Sequence, residues 1–401
     1  MCEVARPGPP ESLADHPDRW DIYRKWMPVS DRWAYFDHAA VAPLPQPTAD
    51  AISKWCQQAT QEGDTVWLEW NRGVERVHDL TASMIHAEPA EIALVSSTTA
   101  GITLVAEGFP WQDGDNVVTL ANEFPSNLYP WMNLASRGIE TRRVEVDSAG
   151  RVDLDRLLAA CDGRTRIVSL SWVGFASGFR LDLPKVVEAV HDRGAYIFLD
   201  AIQGLGVFSV DVKQIPVDFL AADGHKWMMG PEGAGILYVR QQHLDMLRPL
   251  GVGWNSVTQR HDFSKVELTL RPTAARYEGG SQNMAGFLGL GASLEMLMRL
   301  GVAPNRSPVA DRILEITDYA VQQLCAAGAE IVSVREDPHR SGIVAFRLDG
   351  QDHETVRGRC LRAGVVLSHR NGCLRISPHA YVNEDDVDRL VAATRGDGDL
   401  L

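Results

Sequence analysis

Short apolar runs and longer amphipathic stretches alternate through the middle of this chain, from about Glu91 to Arg240. The runs IALVSS, NVVTLA, TRRVEV, RIVSLSW, AYIFLD, DFLAAD and GILYV are short, β-branched and bounded by Gly, Asp or Asn. Runs of that kind read as buried strands, and their alternation with helical stretches reads as βα units building a mostly parallel sheet. Between them, LPKVVEAVHDRG carries Pro near its start and Gly just past its end, the asymmetry of helix termini, and predicts a covering helix. After GGSQNMAG, a long apolar helix (FLGLGASLEMLMRLG) leads into a region from about Ala310 that reads as helix, strand (GIVAFRL), helix, short strands and a final helix (EDDVDRLVAAT). The pattern predicts an α/β chain in three parts. These are an N-terminal segment over 1–30, a large domain over 31–285 with a seven-stranded, mostly parallel sheet, and a linking helix with a smaller α+β domain over 286–401.

Composition narrows the class. With 401 residues, 45% apolar and 23% charged, the chain can bury a sizeable core and matches globular averages. The net charge of -14 disfavours nucleic acid and anionic lipid as partners, though a local positive pocket remains compatible with it. No apolar run approaches the roughly 20 residues of a membrane-spanning helix. The N-terminus has neither a basic start nor an apolar stretch, so a cytoplasmic protein is expected. The six cysteines (Cys2, Cys56, Cys161, Cys325, Cys360, Cys373) form no C-x-x-C and no metal-ligand spacing, so they read as reduced thiols and no metal is expected.

Candidate chemistry gathers at strand ends. Asp200 closes AYIFLD, and ligands of open α/β sheets bind just outside the carboxyl ends of strands. Taken alone, Asp200 reads at least as well as a cap of the turn AIQGLG. Twenty-six residues on, ADGHKWMMGPEGAG places Lys226 directly after a strand, among small residues and an aromatic. Desolvation there would leave more of its amine neutral, as a Schiff-base lysine requires. Pyridoxal 5'-phosphate needs such a lysine and an acid that keeps its pyridine nitrogen protonated, and Lys226 with Asp200 supplies that pair. VSSTTAG offers Ser97, Thr98 and Thr99 at a strand-to-helix junction, where N–H groups and the helix dipole favour a phosphate or, equally, a plain helix cap.

In order along the chain, STT, EFPSN, DAIQG and DGHKW resemble the class V aminotransferases of pyridoxal-phosphate fold type I. That group includes cysteine desulfurases, kynureninases and isopenicillin N epimerase-like enzymes. The resemblance runs from about Tyr35 to the C-terminal helix. It implies that Thr98 and Thr99 hold the phosphate, Phe124 stacks on the pyridine ring, Gln203 approaches the phenolic oxygen and His225 is a further phosphate ligand. Desulfurases usually put His where Phe124 stands, and a Phe can clamp the ring but transfers no proton. Asp223 stands where relatives often carry a phosphate-binding Ser. EGGSQNMAG resembles a loop that enters the partner's active site, which implies a homodimer in which Gly280 and Ser281 serve the neighbouring phosphate. Trp254 is placed to reach across as well, although packing is the plainer reading. CLRISPHAY resembles the segment whose arginine, here Arg375, binds the substrate's α-carboxylate with its planar fork. His38, Ala39 and Ala40 of DHAAVAP are expected to line the substrate space, and His369 or Arg370 to read a distal acid.

The resemblance implies transimination at Lys226, with the freed amine as base for the α-proton. An aminotransferase-type reaction on an amino acid is expected first, with an isopenicillin N epimerase-like racemase or a carbon–sulfur lyase as the alternative. The loop before Arg375 is short and its thiol, Cys373, falls on a strand, which argues against persulfide formation on the protein. A non-catalytic scaffold of the same fold is the reading outside enzymes, and the joint presence of Asp200, Gln203, His225, Lys226 and Arg375 speaks against it.

Overall fold

A computed structural model describes residues 12–396. The seven apolar runs form strands β2 (Ile92–Val95), β3 (Asn116–Leu120), β4 (Glu140–Val144), β5 (Thr165–Ser171), β6 (Tyr196–Asp200), β7 (Phe219–Asp223) and β8 (Gly235–Val239), after a two-residue β1 (Ala34–Tyr35). They make one sheet in the order β2-β8-β7-β6-β5-β3-β4, in which β8 alone runs against the others. Side chains alternate across the sheet. Ile197, Leu199 and Leu220 pack into one apolar cluster, and Phe198, Phe219 and Ala221 into a second on the opposite face. The helix Thr98–Gly108 covers the second face, and the helices Trp67–Ile85, Leu183–His191 and Met284–Arg299 contribute to the first. Burial on both faces explains why the strands inside the sheet are continuous apolar runs rather than alternating ones, whereas the edge strand β4 (ETRRV) is polar and buried only at Val144.

The exceptional strand fixes the site. Because β8 is antiparallel to β7, the chain need not cross back over the sheet, and residues 224–234 form a loop at the carboxyl end of β7. That loop carries Lys226 to the edge where β6 delivers Asp200. It is tightly closed, with Gly230 N donating to Gly224 O at 2.8 Å and Met229 N to Lys226 O at 3.0 Å. A Cβ on Gly224 would meet Ala234 O at 2.7 Å, so only glycine fits there. Met229 is buried at φ +59, a left-handed conformation costly for a bulky residue and tolerated where surrounding packing imposes it.

The C-terminal region holds an antiparallel sheet of β9 (Ala329–Ile331), β10 (Val344–Leu348), β12 (Ser368–Arg370) and β13 (Cys373–Ile376), in the order β12-β13-β10-β9. Between β10 and β12, β11 (Val365–Val366) pairs in parallel with β1. Asp37 forms a bridge with Ser377, so residues 34–37 run beside the C-terminal region and bring DHAAVAP against Arg375. Strands β12 and β13 meet in a two-residue turn, Asn371-Gly372, with φ of 50° and 73°. Those signs define the tight hairpin turn that Asn-Gly favours.

Candidate active site

The carboxyl ends of β6 and β7, the start of the Thr98 helix, the 224–234 loop and the β12–β13 hairpin converge on a cavity of about 330 Å³. Lys226, Asp200, Thr98, Thr99, Phe124, Gln203, His225, Ala39, Ala40, Arg370 and Arg375 all line it. The Lys226 side chain is only 8% exposed, and no hydrogen bond or ion pair among the described residues reaches its Nζ. Burial lowers its pKa to about 8, against the opposing pull of Asp200. Its Nζ lies 5.6 Å from the centroid of the Phe124 ring, which favours the ammonium only weakly. The result is a lysine that holds a neutral amine at modest cost, the requirement for attack on a carbonyl.

Asp200 is buried, and burial pushes its carboxyl up to about 6. Its Oδ1 accepts from Ile202 N at 3.1 Å, so the bland capping role is real but occupies one oxygen only. The other is left for a ring N–H. Gln203 donates through Nε2 to Ala39 O at 3.0 Å and accepts from Trp227 Nε1 at 2.7 Å, which fixes the amide and leaves one N–H free for an oxygen. Ser97 Oγ is spent on capping, accepting from Ala100 N. Thr98 and Thr99, at the first two helical positions, keep backbone N–H groups without intrahelical partners, the ordinary cradle for an anion. The Thr98 hydroxyl accepts from Asp223 N at 2.9 Å, and that of Thr99 donates to Ser126 Oγ at 2.8 Å. An unpartnered buried amine, a half-used buried carboxyl beside it and free helix-start N–H groups together fit pyridoxal phosphate.

Arg375 is almost wholly buried and held on three sides. Nε donates to Ser368 Oγ at 3.0 Å, Nη1 to Phe175 O at 2.5 Å and Nη2 to Asp37 Oδ1 at 3.0 Å. Three of its five N–H groups are thus committed, and one remains on each Nη, the fork a carboxylate accepts in two parallel bonds. Phe124 is 43% exposed, its ring meeting Phe175 at 5.3 Å and 77°, so one aromatic wall faces the cavity.

One expected residue faces elsewhere. His38 does not line the cavity. Both ring nitrogens are engaged in the core, Nδ1 with Ser377 O at 2.9 Å and Nε2 with the Tyr381 hydroxyl at 3.0 Å, and burial drives its pKa down to about 3. The chain turns over residues 38–40, with Ala40 N donating to Asp37 O at 3.0 Å, and this turn puts Ala39 and Ala40 on the cavity and His38 in the aromatic core. Gly280, Ser281 and Trp254 lie outside this cavity, and Gly280 and Ser281 are exposed. His369 also lies outside it. The residues that sequence reasoning missed are Asp37 and Ser368, which orient Arg375, and Ser126, Phe175 and Ile202 on the cavity wall.

Asp223 also lines the cavity. Its Oδ2 sits 3.1 Å from His225 Nδ1, while the buried Oδ1 has no hydrogen-bond partner. A carboxylate beside a phosphate cradle repels the phosphate. Asp223→Ser should therefore tighten cofactor retention about tenfold, the scale of relieving one unsatisfied buried polar group, as read by equilibrium dialysis against pyridoxal phosphate. Weaker retention would show that the Asp223–His225 contact holds the cradle together.

A second acid is tuned nearby. Glu123, next to Phe124, is buried, accepts from Ser171 N at 2.7 Å and is also hydrogen-bonded to Ser171 Oγ. Burial raises its pKa from 4.5 to about 7, with Asp200 adding to the rise. A raised acid binds more protons folded than unfolded, so its stabilising effect is complete below pH 4.5 and is lost as pH climbs towards 7. Across that window the wild type should lose up to about 1.4 kcal/mol per pH unit relative to Glu123→Gln, in urea unfolding of the apoprotein. Parallel pH profiles would refute a titrating Glu123.

Fold and cavity together define a pyridoxal-phosphate enzyme of fold type I. The sequence pattern of the Aminotransferase class-V family matches residues 34–390, and the chain belongs to that family. It is 30% identical over 396 residues to a probable cysteine desulfurase of Methanothermobacter thermautotrophicus, covering 93% of this chain and 96% of that one. It is 31% identical over 388 residues to a cysteine desulfurase of Dickeya dadantii, covering 90% of each. In structure it is similar to the apo cysteine desulfurase of Thermococcus onnurineus NA1, with a TM-score of 0.84 at 24% identity over 95% of this chain and 98% of that one.

Proposed function

We propose that this chain is a carbon–sulfur β-lyase, acting on cysteine or a cysteine-derived amino acid and releasing the sulfur without first receiving it on a protein thiol. The observation that carries the reading is the hairpin beside Arg375. Its two-residue turn leaves no loop to bear a thiol, and among the described residues no cysteine lines this cavity, Cys373 bordering the neighbouring one from a strand instead. Cys373 is buried on β13, and Cys360 is buried in the helix His353–Arg362 with its thiol pushed up to about 11 by burial. The relatives above are named as desulfurases, which favours the carbon–sulfur branch over the aminotransferase reading that the family resemblance first suggests.

Bound pyridoxal phosphate supplies an aldehyde that condenses with amines and a protonated ring that takes up the electron pair of a broken Cα bond. Arg375 grips the α-carboxylate and fixes the orientation of the Cα–H bond. Lys226, with a pKa of about 8, accepts the α-proton at Nζ. Asp200 would hold its free carboxyl oxygen toward the ring nitrogen, and Phe124 with Phe175 forms an aromatic wall on one side of the cavity. With the α-proton held on Lys226, the overall change on the substrate would be a β-elimination in which the Cβ–S electron pair leaves on sulfur and water converts the remaining three-carbon fragment to pyruvate and ammonium. A cytoplasmic homodimer belongs to the same proposal. In it, the exposed Gly280 and Ser281 complete the partner's phosphate site.

S-methyl-L-cysteine separates the candidate reactions. Holoenzyme should convert it to pyruvate and methanethiol. An intact thioether keto acid would instead mean transamination, and accumulation of the other enantiomer epimerisation; either would overturn the lyase.

A further inference from the structure

Beyond the Arg375 cavity, the same hairpin borders a second cavity of about 410 Å³. Arg370 lines both. Arg143 and Arg347 also face the second one, and none of the three has an ion-pair partner among the described residues. Among the described residues, the guanidinium groups of this trio make a single hydrogen bond, from Arg370 Nη1 to the carbonyl of its neighbour, His369. Two carboxylates share the wall. Asp147 is already engaged by the Arg151 side chain at 3.2 Å and by the N–H groups of Ala149 and Arg151, whereas Glu145 has no ion-pair partner among the described residues. Positive charge is in excess.

The register of the hairpin places this charge at a useful distance. Ser368 is opposite Arg375, and Arg370 lies two residues further along the same strand, on the same face. The Arg370 row is therefore displaced from the Arg375 row by about 7 Å along the strand. A substrate with its α-carboxylate on Arg375 and its sulfur over Lys226 would extend its sulfur substituent toward Arg370. Other exposed arginines, Arg32, Arg72 and Arg164 among them, also lack an acidic partner among the described residues, but these three gather around a single opening beside the active-site cavity.

We infer that this second cavity is a specificity vestibule for an anionic sulfur substituent. On that account, the preferred substrate is a cysteine thioether or disulfide whose distal end carries a carboxylate, read by Arg370 with Arg347 and Arg143. The inference rests on the lyase reading for its kinetic arm only.

The kinetic arm compares S-(2-carboxyethyl)-L-cysteine with S-butyl-L-cysteine. Wild type should show a KM about fivefold to tenfold lower for the carboxylated thioether, the scale of one solvent-accessible charge pair strengthened by a second. In the double variant Arg347→Ala/Arg370→Ala that ratio should fall to about one. A wild-type ratio of one, or an unchanged ratio in the double variant, would overturn the vestibule. The binding arm uses holoenzyme and calorimetry with pimelate, which has the same carboxylate spacing, against heptanoate. Pimelate should bind about fivefold tighter to wild type and no tighter to the double variant. Equal binding to wild type would sink the vestibule even if the thioethers are turned over. Preferential pimelate binding without any elimination would keep the vestibule and discard the lyase.

Discussion

Lys226→Ala should lose covalent attachment of pyridoxal phosphate and at least about 10³-fold in turnover, because one side chain is both the point of attachment and the base for the α-proton. Turnover is read as pyruvate formation, and attachment as cofactor retained through denaturation after borohydride reduction. The same lysine has a signature in stability. With its pKa lowered from 10.5 to about 8, the folded apoprotein binds fewer protons than the unfolded chain between those values. Stability attributable to Lys226 therefore rises with pH across that window and is at its lowest below pH 8. An apolar replacement of similar length, Lys226→Met, should accordingly be more stable than wild type at pH 7, by on the order of 3 kcal/mol. The two apoproteins should converge towards pH 10.5. A Met variant that unfolds more easily at pH 7 would show that the ammonium is better solvated than its burial implies.

Arg375→Ala is the second large expectation. The guanidinium binds the substrate's carboxylate and also satisfies Asp37, Ser368 and the carbonyl of Phe175, so its removal acts twice. KM for the amino acid should rise about 100-fold, the cost of a desolvated bidentate pair. Stability should fall by about 3 kcal/mol, because Asp37 is left with its charge in a largely enclosed position. Arg375→Lys keeps the charge but loses the fork, so it should recover part of the stability and little of the KM. Steady-state kinetics and urea unfolding on the three proteins check both halves. A raised KM with unchanged stability would mean that the Asp37 pair contributes nothing to the fold.

The parts of this architecture legible in the sequence are those with a local cause. Strands buried on both faces must be continuous apolar runs, so six strands of the large sheet could be read from that signal, and the polar edge strand β4 (ETRRV) only from its place in the alternation of strands and helices. Asp200 and Lys226 stood out because a charged group just past such a run faces the crevice at the sheet's edge. The Asn-Gly turn between β12 and β13 also had a readable signal, in the dipeptide itself. The rest depends on distant pairing. Strands β1 and β11 are two residues each and lie some 330 positions apart, so nothing local in YFDHAAVAP announces that it lies against the C-terminal sheet. That docking decides that Asp37 meets Arg375 and that His38 turns into the aromatic core. One indirect signal existed for Asp37. A buried arginine needs an anionic partner, and a nearby segment with an isolated aspartate was a candidate to supply it. Phe175 and Ser126 sit in loops whose course is set by tertiary contacts.

The most direct test of the account is peptide mapping of holoenzyme after borohydride reduction. The chain has six lysines, Lys25, Lys54, Lys185, Lys213, Lys226 and Lys265, so the assignment is clean. The pyridoxyl group should be found on the peptide containing Lys226 and on no other. A label on a different lysine, or none in protein saturated with pyridoxal phosphate, would contradict the account.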